Sequence, residues 1–60
     1  MKLLDDINKL EKLLLKDGFM PVELDNMFAE ISKYYIDSDL ALTGYLKVLN
    51  YLAYPPYGEI

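Results

Sequence analysis

Three stretches of the chain place their apolar residues at helical spacing, and the last of them is apolar around most of its circumference. On a helical wheel of residues 39–54, one narrow sector holds the polar side chains, which are Asp39, Thr43, Lys47 and Asn50. Leucine, alanine, valine and tyrosine side chains cover most of the remaining surface. A helix of this kind needs packing partners on more than one side. We therefore predict that it is the hub on which the other segments pack.

Two earlier stretches each carry a narrower apolar stripe. Residues 3–16 repeat apolar side chains at spacings of four, three and four, and residues 21–36 carry a second stripe at helical spacing. We predict an all-α fold, a small three-helix bundle in one domain (1–60). Its helices span about 3–16, 21–36 and 39–54, with short turns and room for a second chain to complete the bundle. The predicted core residues are Leu10, Leu14, Phe28, Ile31, Leu46 and Leu49.

Residues that favour helix ends mark the predicted turns. Gly18 suits the left-handed conformation that often follows a helix, and Pro21 suits the first turn of the next one. The carboxylates within residues 37–39 can cap the last helix. Gly44 lies inside that helix, where it costs about 1 kcal/mol relative to alanine. Two hypotheses explain the glycine: another backbone packs closely against it, or the cost is only tolerated.

The chain is short, and neither disulfides nor histidine-bound zinc can stabilise it. A domain of 60 residues buries only about 60% of its unfolded surface, and this chain contains no cysteine and no histidine. Nevertheless, 53% of its residues are hydrophobic, above the average of roughly 45–50%. Part of this apolar surface is therefore expected to serve an interface with another chain.

Six tyrosines are the most unusual feature of the composition. Tyrosine combines a large ring with a hydroxyl that can stay in water, so it suits both core edges and interfaces. We assign Tyr35 and Tyr45 to the edge of the core. Leu13, on the shoulder of the first helix nearest its polar face, is either a single exposed leucine or a contact with a second chain. The predicted partner-binding residues are Leu13, Tyr34, Tyr51, Tyr54 and Tyr57.

The sequence predicts a protein that is not an enzyme, with no catalytic residue, no metal site and no cofactor. Nucleophilic catalysis through Cys–His or Ser–His pairs needs a histidine, which is absent. The three glycines are too far apart for a phosphate-binding loop. Asp37-Ser38-Asp39 resembles the opening of a calcium loop, but Leu42 and Val48 stand where that loop needs glycine and glutamate. Helix capping is the favoured interpretation of these carboxylates.

The charges disfavour nucleic acid and membranes as partners. The net charge is −4 and arginine is absent, which argues against direct binding to nucleic acid or anionic lipid. A helix-turn-helix DNA reader is disfavoured because Lys47 is the only basic residue of the last helix. No apolar run approaches the roughly 20 residues that span a bilayer. Asp5 and Asp6 interrupt any secretory signal, so we expect a cytoplasmic protein of a cell or of a phage. Asp5 is also placed to pair with Lys9 at i,i+4.

The leading hypothesis is a protein-binding module that acts by occupancy, as an inhibitor, adaptor or assembly subunit, through an apolar leucine and tyrosine surface. Its partner is another protein or a second copy of the chain, with a dimer as the favoured form. The alternative is an acidic inhibitor, of a kind that a phage makes, that occludes the basic groove of a nucleic-acid-binding protein. The acidic face would then comprise Glu23, Glu30, Asp37 and Asp39.

Overall fold

A computed structural model describes residues 2–55 of the chain and contains three α-helices in that range. Helix α1 spans Lys2–Lys16, α2 spans Pro21–Ser32 and α3 spans Ser38–Ala53. The described residues form no β-strand. The prediction of a small all-α three-helix bundle is confirmed. Helix α1 begins one residue earlier than predicted, and α3 begins and ends one residue earlier.

Helix α3 is the hub of the bundle, as its nearly all-round apolar surface predicts. Both α1 and α2 pack along α3, while α1 and α2 touch each other only marginally. The five buried residues that meet in the core cluster come from all three helices; they are Ile7, Leu14, Leu24, Tyr45 and Leu49. Leu14 and Leu49 are fully buried, as predicted. The other four predicted core residues are half-buried and pack around this cluster; they are Leu10, Phe28, Ile31 and Leu46.

Gly18 ends α1 in the left-handed conformation that the sequence predicts, with a φ of 114°. The Phe19 N–H donates to the Leu14 carbonyl at 3.0 Å, and the Gly18 N–H donates to the Leu15 carbonyl at 3.2 Å. This pair of bonds is the Schellman arrangement, which satisfies carbonyls that a helix end leaves unpaired. It also directs the Phe19 side chain back onto the core cluster.

Helix α2 begins at Pro21, as predicted, but it ends at Ser32 rather than at residue 36. Its start is closed by Glu23, whose Oε1 accepts a hydrogen bond from the Met20 N–H at 2.8 Å. At the other end, the N–H groups of residues 33–35 donate to carbonyls three residues earlier, which tightens the chain into a turn. The helical stripe continues through Tyr34 and Tyr35 in sequence, but the chain must reverse there to bring α3 back along α2.

The first turn of α3 is capped as the sequence predicts. Asp37 is the N-cap residue, and its Oδ1 accepts a hydrogen bond from the Asp39 N–H at 2.8 Å. The Thr43 hydroxyl donates to the Asp39 carbonyl at 2.9 Å, one turn further on. The Asp37 carboxylate therefore has a structural role at this helix end.

The hypothesis that a backbone packs against Gly44 is wrong, because the neighbour is a side chain. A Cβ atom at Gly44 would lie 3.1 Å from Cε2 of Tyr35 and 3.2 Å from its hydroxyl oxygen. The Tyr35 ring thus folds back from the α2–α3 turn onto α3. The contact joins Tyr35 to α3 at Gly44, and 42% of the residue stays exposed.

Alanine is more favourable than glycine inside a helix by about 1 kcal/mol. Gly44→Ala is expected to raise the free energy of unfolding by less than this amount. The Tyr35 ring must shift to admit the added methyl group, and this shift offsets part of the gain. When Tyr35→Ala has removed the ring, the full gain of about 1 kcal/mol is expected. Urea unfolding of the four proteins of this double-mutant cycle measures the difference. Equal gains in the two backgrounds would contradict the contact.

Candidate protein-binding site

An open groove of about 430 Å³ runs between α1 and α3. Its apolar walls come from Leu10 and Leu13, which lie three residues apart on α1, and from Leu46 on α3. Asn50 lies one turn after Leu46, and Tyr54 closes the groove where α3 ends. We call this feature the α1–α3 groove. Its concave, mostly apolar wall with a few polar groups at the margin is typical of a binding surface.

Two opposite charges, Asp6 and Lys9, lie together on the α1 margin of this groove. Within residues 2–55 the only ion pair is the one between Lys33 and Glu30, at 2.9 Å on the exposed face of α2. The predicted pair between Asp5 and Lys9 is therefore not formed. Neither charge at the groove margin has an ionic partner in the described part of the chain.

Leu13, which the helical wheel places nearest the polar face of α1, is less exposed than two other leucines of this helix. It is half-buried in the groove, whereas Leu4 is 44% exposed and Leu15 is 38% exposed on the opposite shoulder. The reason is that Leu13 faces α3 across the groove, whereas Leu4 and Leu15 do not line it. Leu13 remains available to a partner as part of the groove wall.

The predicted partner-binding tyrosines do not form one cluster. Tyr54 is 65% exposed at the groove, and Tyr51 is 61% exposed about one turn earlier on α3. Tyr34 is 80% exposed in the turn after α2 and does not line the groove. Tyr57 lies outside the described residues. The structure therefore brings together Leu13 and Tyr54, with Tyr51 on the adjoining outer face of α3.

Tyr45 is buried where the three helices meet, deeper than the core edge to which the sequence assigns it. Its ring packs edge-on against Phe28, with 5.3 Å between ring centroids. Its hydroxyl donates a hydrogen bond to Oε2 of Glu11 at 2.7 Å. Burial raises the pKa of the Tyr45 hydroxyl well above its usual value; the hydrogen bond to Glu11 and the negative charges of Glu11 and Asp25 add to this effect.

The residues of the proposed acidic face are mostly engaged within the chain. Glu23 accepts the Met20 N–H at the start of α2, and Asp37 caps α3. Glu30 pairs with Lys33. The Asp39 side chain is exposed in the first turn of α3, where a carboxylate also stabilises the helix dipole.

The polar margin of the groove, at Asp6, Lys9 and Asn50, was not predicted from the sequence. A second groove of about 290 Å³ between α2 and α3 was not predicted either; it is lined by Asn26, Met27, Glu30, Ile31 and Val48. The wheel positions of these residues are readable from the sequence. Which wheel sectors face each other across two helices depends on how the helices pack.

Comparison of the chain with protein-family models, with characterised proteins and with solved structures finds no match. Among residues 2–55, no helix is both long enough and apolar enough to cross a membrane. The same residues contain no group of three or more acidic side chains that could hold a metal ion.

Proposed function

We propose that this chain is a non-enzymatic protein-binding module that acts by occupying a partner through the α1–α3 groove. The observation that carries the proposal is the meeting of Leu13 and Tyr54 at one groove, with an apolar wall and a polar margin. Both residues are among those that the sequence predicts for partner contact. The proposal includes a cytoplasmic location, which the absence of cysteine supports.

Binding at this groove would be driven by the burial of apolar surface. Each Å² of apolar surface removed from water contributes about 25 cal/mol, and tyrosine is among the residues that most often dominate interface energy. The exposed rings of Tyr51 and Tyr54 can cover the groove wall while their hydroxyls remain in water. Asp6 and Lys9 at the margin would orient the partner more than they would hold it.

The alternative function, acidic occlusion of a basic groove, has weaker support. Three of its four carboxylates already act inside the chain, at two helix starts and in one ion pair. A carboxylate with an internal partner has less to gain from an external cation. The two functions also differ in salt dependence, because binding through exposed charges weakens as ionic strength rises and apolar binding does not.

Leu13→Glu is expected to abolish partner binding and to leave the helix content intact. Leu15→Glu is the matched control, because it makes the same change on the same helix at an exposed position outside the groove. The immobilised wild type and both variants would be incubated with lysate of the source cell at low and high salt. We expect the wild type to bind a partner protein at both salt concentrations, and Leu15→Glu to bind the same amount of it. With Leu13→Glu, the amount of bound partner is expected to fall by at least about tenfold.

Two results would contradict the proposal. One is that the wild type and Leu13→Glu bind the same proteins in the same amounts and self-associate equally. The other is binding that disappears at high salt and is insensitive to Leu13, which would favour the acidic alternative. Far-UV circular dichroism of each variant tests whether a loss of binding is due to unfolding.

A further inference from the structure

Charge is distributed unevenly over the three helices, and this distribution bears on which face can meet another copy of the chain. Helix α2 carries three carboxylates and no lysine, and therefore has a net charge of −3. Helix α1 carries four lysines against three acids, which leaves +1, and in α3 Asp39 and Lys47 cancel. The acidity of the chain is thus concentrated on α2, and the α1–α3 groove lies between the two helices without net negative charge.

We propose that the partner bound by the α1–α3 groove is a second copy of this chain, which docks through its own α1–α3 groove about a two-fold axis. This proposal rests on the function proposed for the groove and names its occupant. In such a dimer the two α2 helices face away from the contact, so that their like charges stay apart. The α2–α3 groove does not offer this advantage, because it is bordered by Glu30 on the acidic helix.

The margin of the groove is complementary to itself. In a two-fold interface, residue i of one copy meets residue j of the other, and j meets i. Asp6 and Lys9 are opposite charges three residues apart on one helix, so their side chains are neighbours on the same face. An antiparallel approach of two α1 helices places Asp6 of each copy opposite Lys9 of the other. Asn50 adds an amide to the groove margin that can both donate and accept a hydrogen bond.

A standard dimer interface buries about 800 Å² per partner, which is about one-sixth of the 4740 Å² surface of the chain. A dimer of this kind must therefore cover the residues around the groove as well as its wall. The groove wall provides the apolar centre, and the exposed rings of Tyr51 and Tyr54 on α3 provide the bulk that fills the opposite groove. The two reciprocal charge pairs fix the register of the contact.

The test is a charge-swap experiment on the full chain. Asp6→Lys places two lysines on the margin of each copy, and Lys9→Glu places two acids there. Each variant alone is expected to be a monomer of 7.0 kDa at a concentration near 100 μM, with self-affinity weakened by about tenfold or more. An equimolar mixture of the two variants is expected to restore the dimer, because every Asp6–Lys9 contact then again joins opposite charges. A single chain that carries both Asp6→Lys and Lys9→Glu is also expected to form the dimer.

Asp5→Lys and Lys12→Glu are the matched controls. They produce the same changes in net charge on the same helix, but Asp5 and Lys12 lie on its outer face and do not line the groove. Both controls are expected to dimerise as the wild type does. Native mass by light scattering, with circular dichroism for the fold, measures all of these proteins.

The proposal is overturned if the wild type is a monomer near 100 μM. It is also overturned if the wild type dimerises but the mixture of Asp6→Lys and Lys9→Glu does not regain the dimer. In either case, binding of a different protein that depends on Leu13 and not on Leu15 would show that the groove still binds a partner. A loss of that binding as well would remove the function proposed for the groove.

Discussion

Leu49→Asp is expected to leave the chain largely unfolded under native conditions. Leu49 is fully buried at the centre of the core cluster, on the helix against which both others pack. The substitution removes roughly 2–5 kcal/mol of packing and transfer free energy, and in addition it buries a carboxylate that has no partner. The free energy of unfolding of a domain is about 0.05–0.15 kcal/mol per residue. A chain of 60 residues cannot absorb a loss of this size.

Leu40→Asp is the matched control for this prediction. It makes the same chemical change in the same helix, but Leu40 is 56% exposed and lies in the first turn, where a carboxylate suits the helix dipole. Its helix content and urea midpoint are expected to stay close to those of the wild type. Far-UV circular dichroism distinguishes the two variants. A cooperative unfolding transition with native helix content in Leu49→Asp would contradict the position assigned to this residue.

Tyr45→Phe is expected to destabilise the protein by about 1–2 kcal/mol at neutral pH. The variant keeps the ring that packs against Phe28, but it loses the hydrogen bond that joins the hub helix to Glu11 of α1. A hydrogen bond to a charged acceptor contributes more than one between neutral groups. The free energy of unfolding in urea measures the loss. The matched control is Tyr51→Phe, which removes a hydroxyl from an exposed tyrosine of the same helix.

The same substitution is expected to change how stability depends on pH. Because the pKa of Tyr45 is raised in the folded chain, the folded state holds the phenolic proton more tightly than the unfolded state does. This contribution to stability is fully present below the unfolded-state pKa of about 10. It is lost as the pH rises above that value and through the folded-state pKa. Wild-type stability should therefore fall more steeply above about pH 10 than that of Tyr45→Phe.

Urea unfolding at a series of alkaline pH values tests this difference in slope. Tyr51→Phe should follow the wild type throughout, because its buried Tyr45 is unchanged. All three proteins carry the same lysines, so the lysines do not contribute to the difference. Parallel pH profiles for the wild type and Tyr45→Phe would contradict the effect of burial and of Glu11 on this hydroxyl.

Helix positions could be predicted from the sequence because local chemistry determines them. Gly18 adopts the left-handed conformation at the end of α1, and Asp37 caps the start of α3 through a hydrogen bond within its own turn. The end of α2 could not be predicted in this way. Its apolar stripe continues past Ser32, and the requirement to reverse the chain onto α3 overrides that pattern.

The candidate site was only partly predictable. Leu13 and Tyr54 stood out as residues at the edge of their stripes, but nothing in their wheel positions indicates that they face each other. The half-burial of Leu13 in the groove has the same cause. A stripe shows which sector of a helix is apolar, and it does not show on which side of that sector the neighbouring helix lies.

The helix class, the turns and the hub follow from the sequence, because apolar periodicity and capping residues act over a few positions of the chain. Which leucines of α1 line the groove, and that Asp6 and Lys9 border it, depends on the packed fold. The hydrogen bond between the Tyr45 hydroxyl and Glu11 depends on it too. These features depend on how α1 and α2 are rotated against α3, and that rotation is set by the packing of side chains that are distant in sequence.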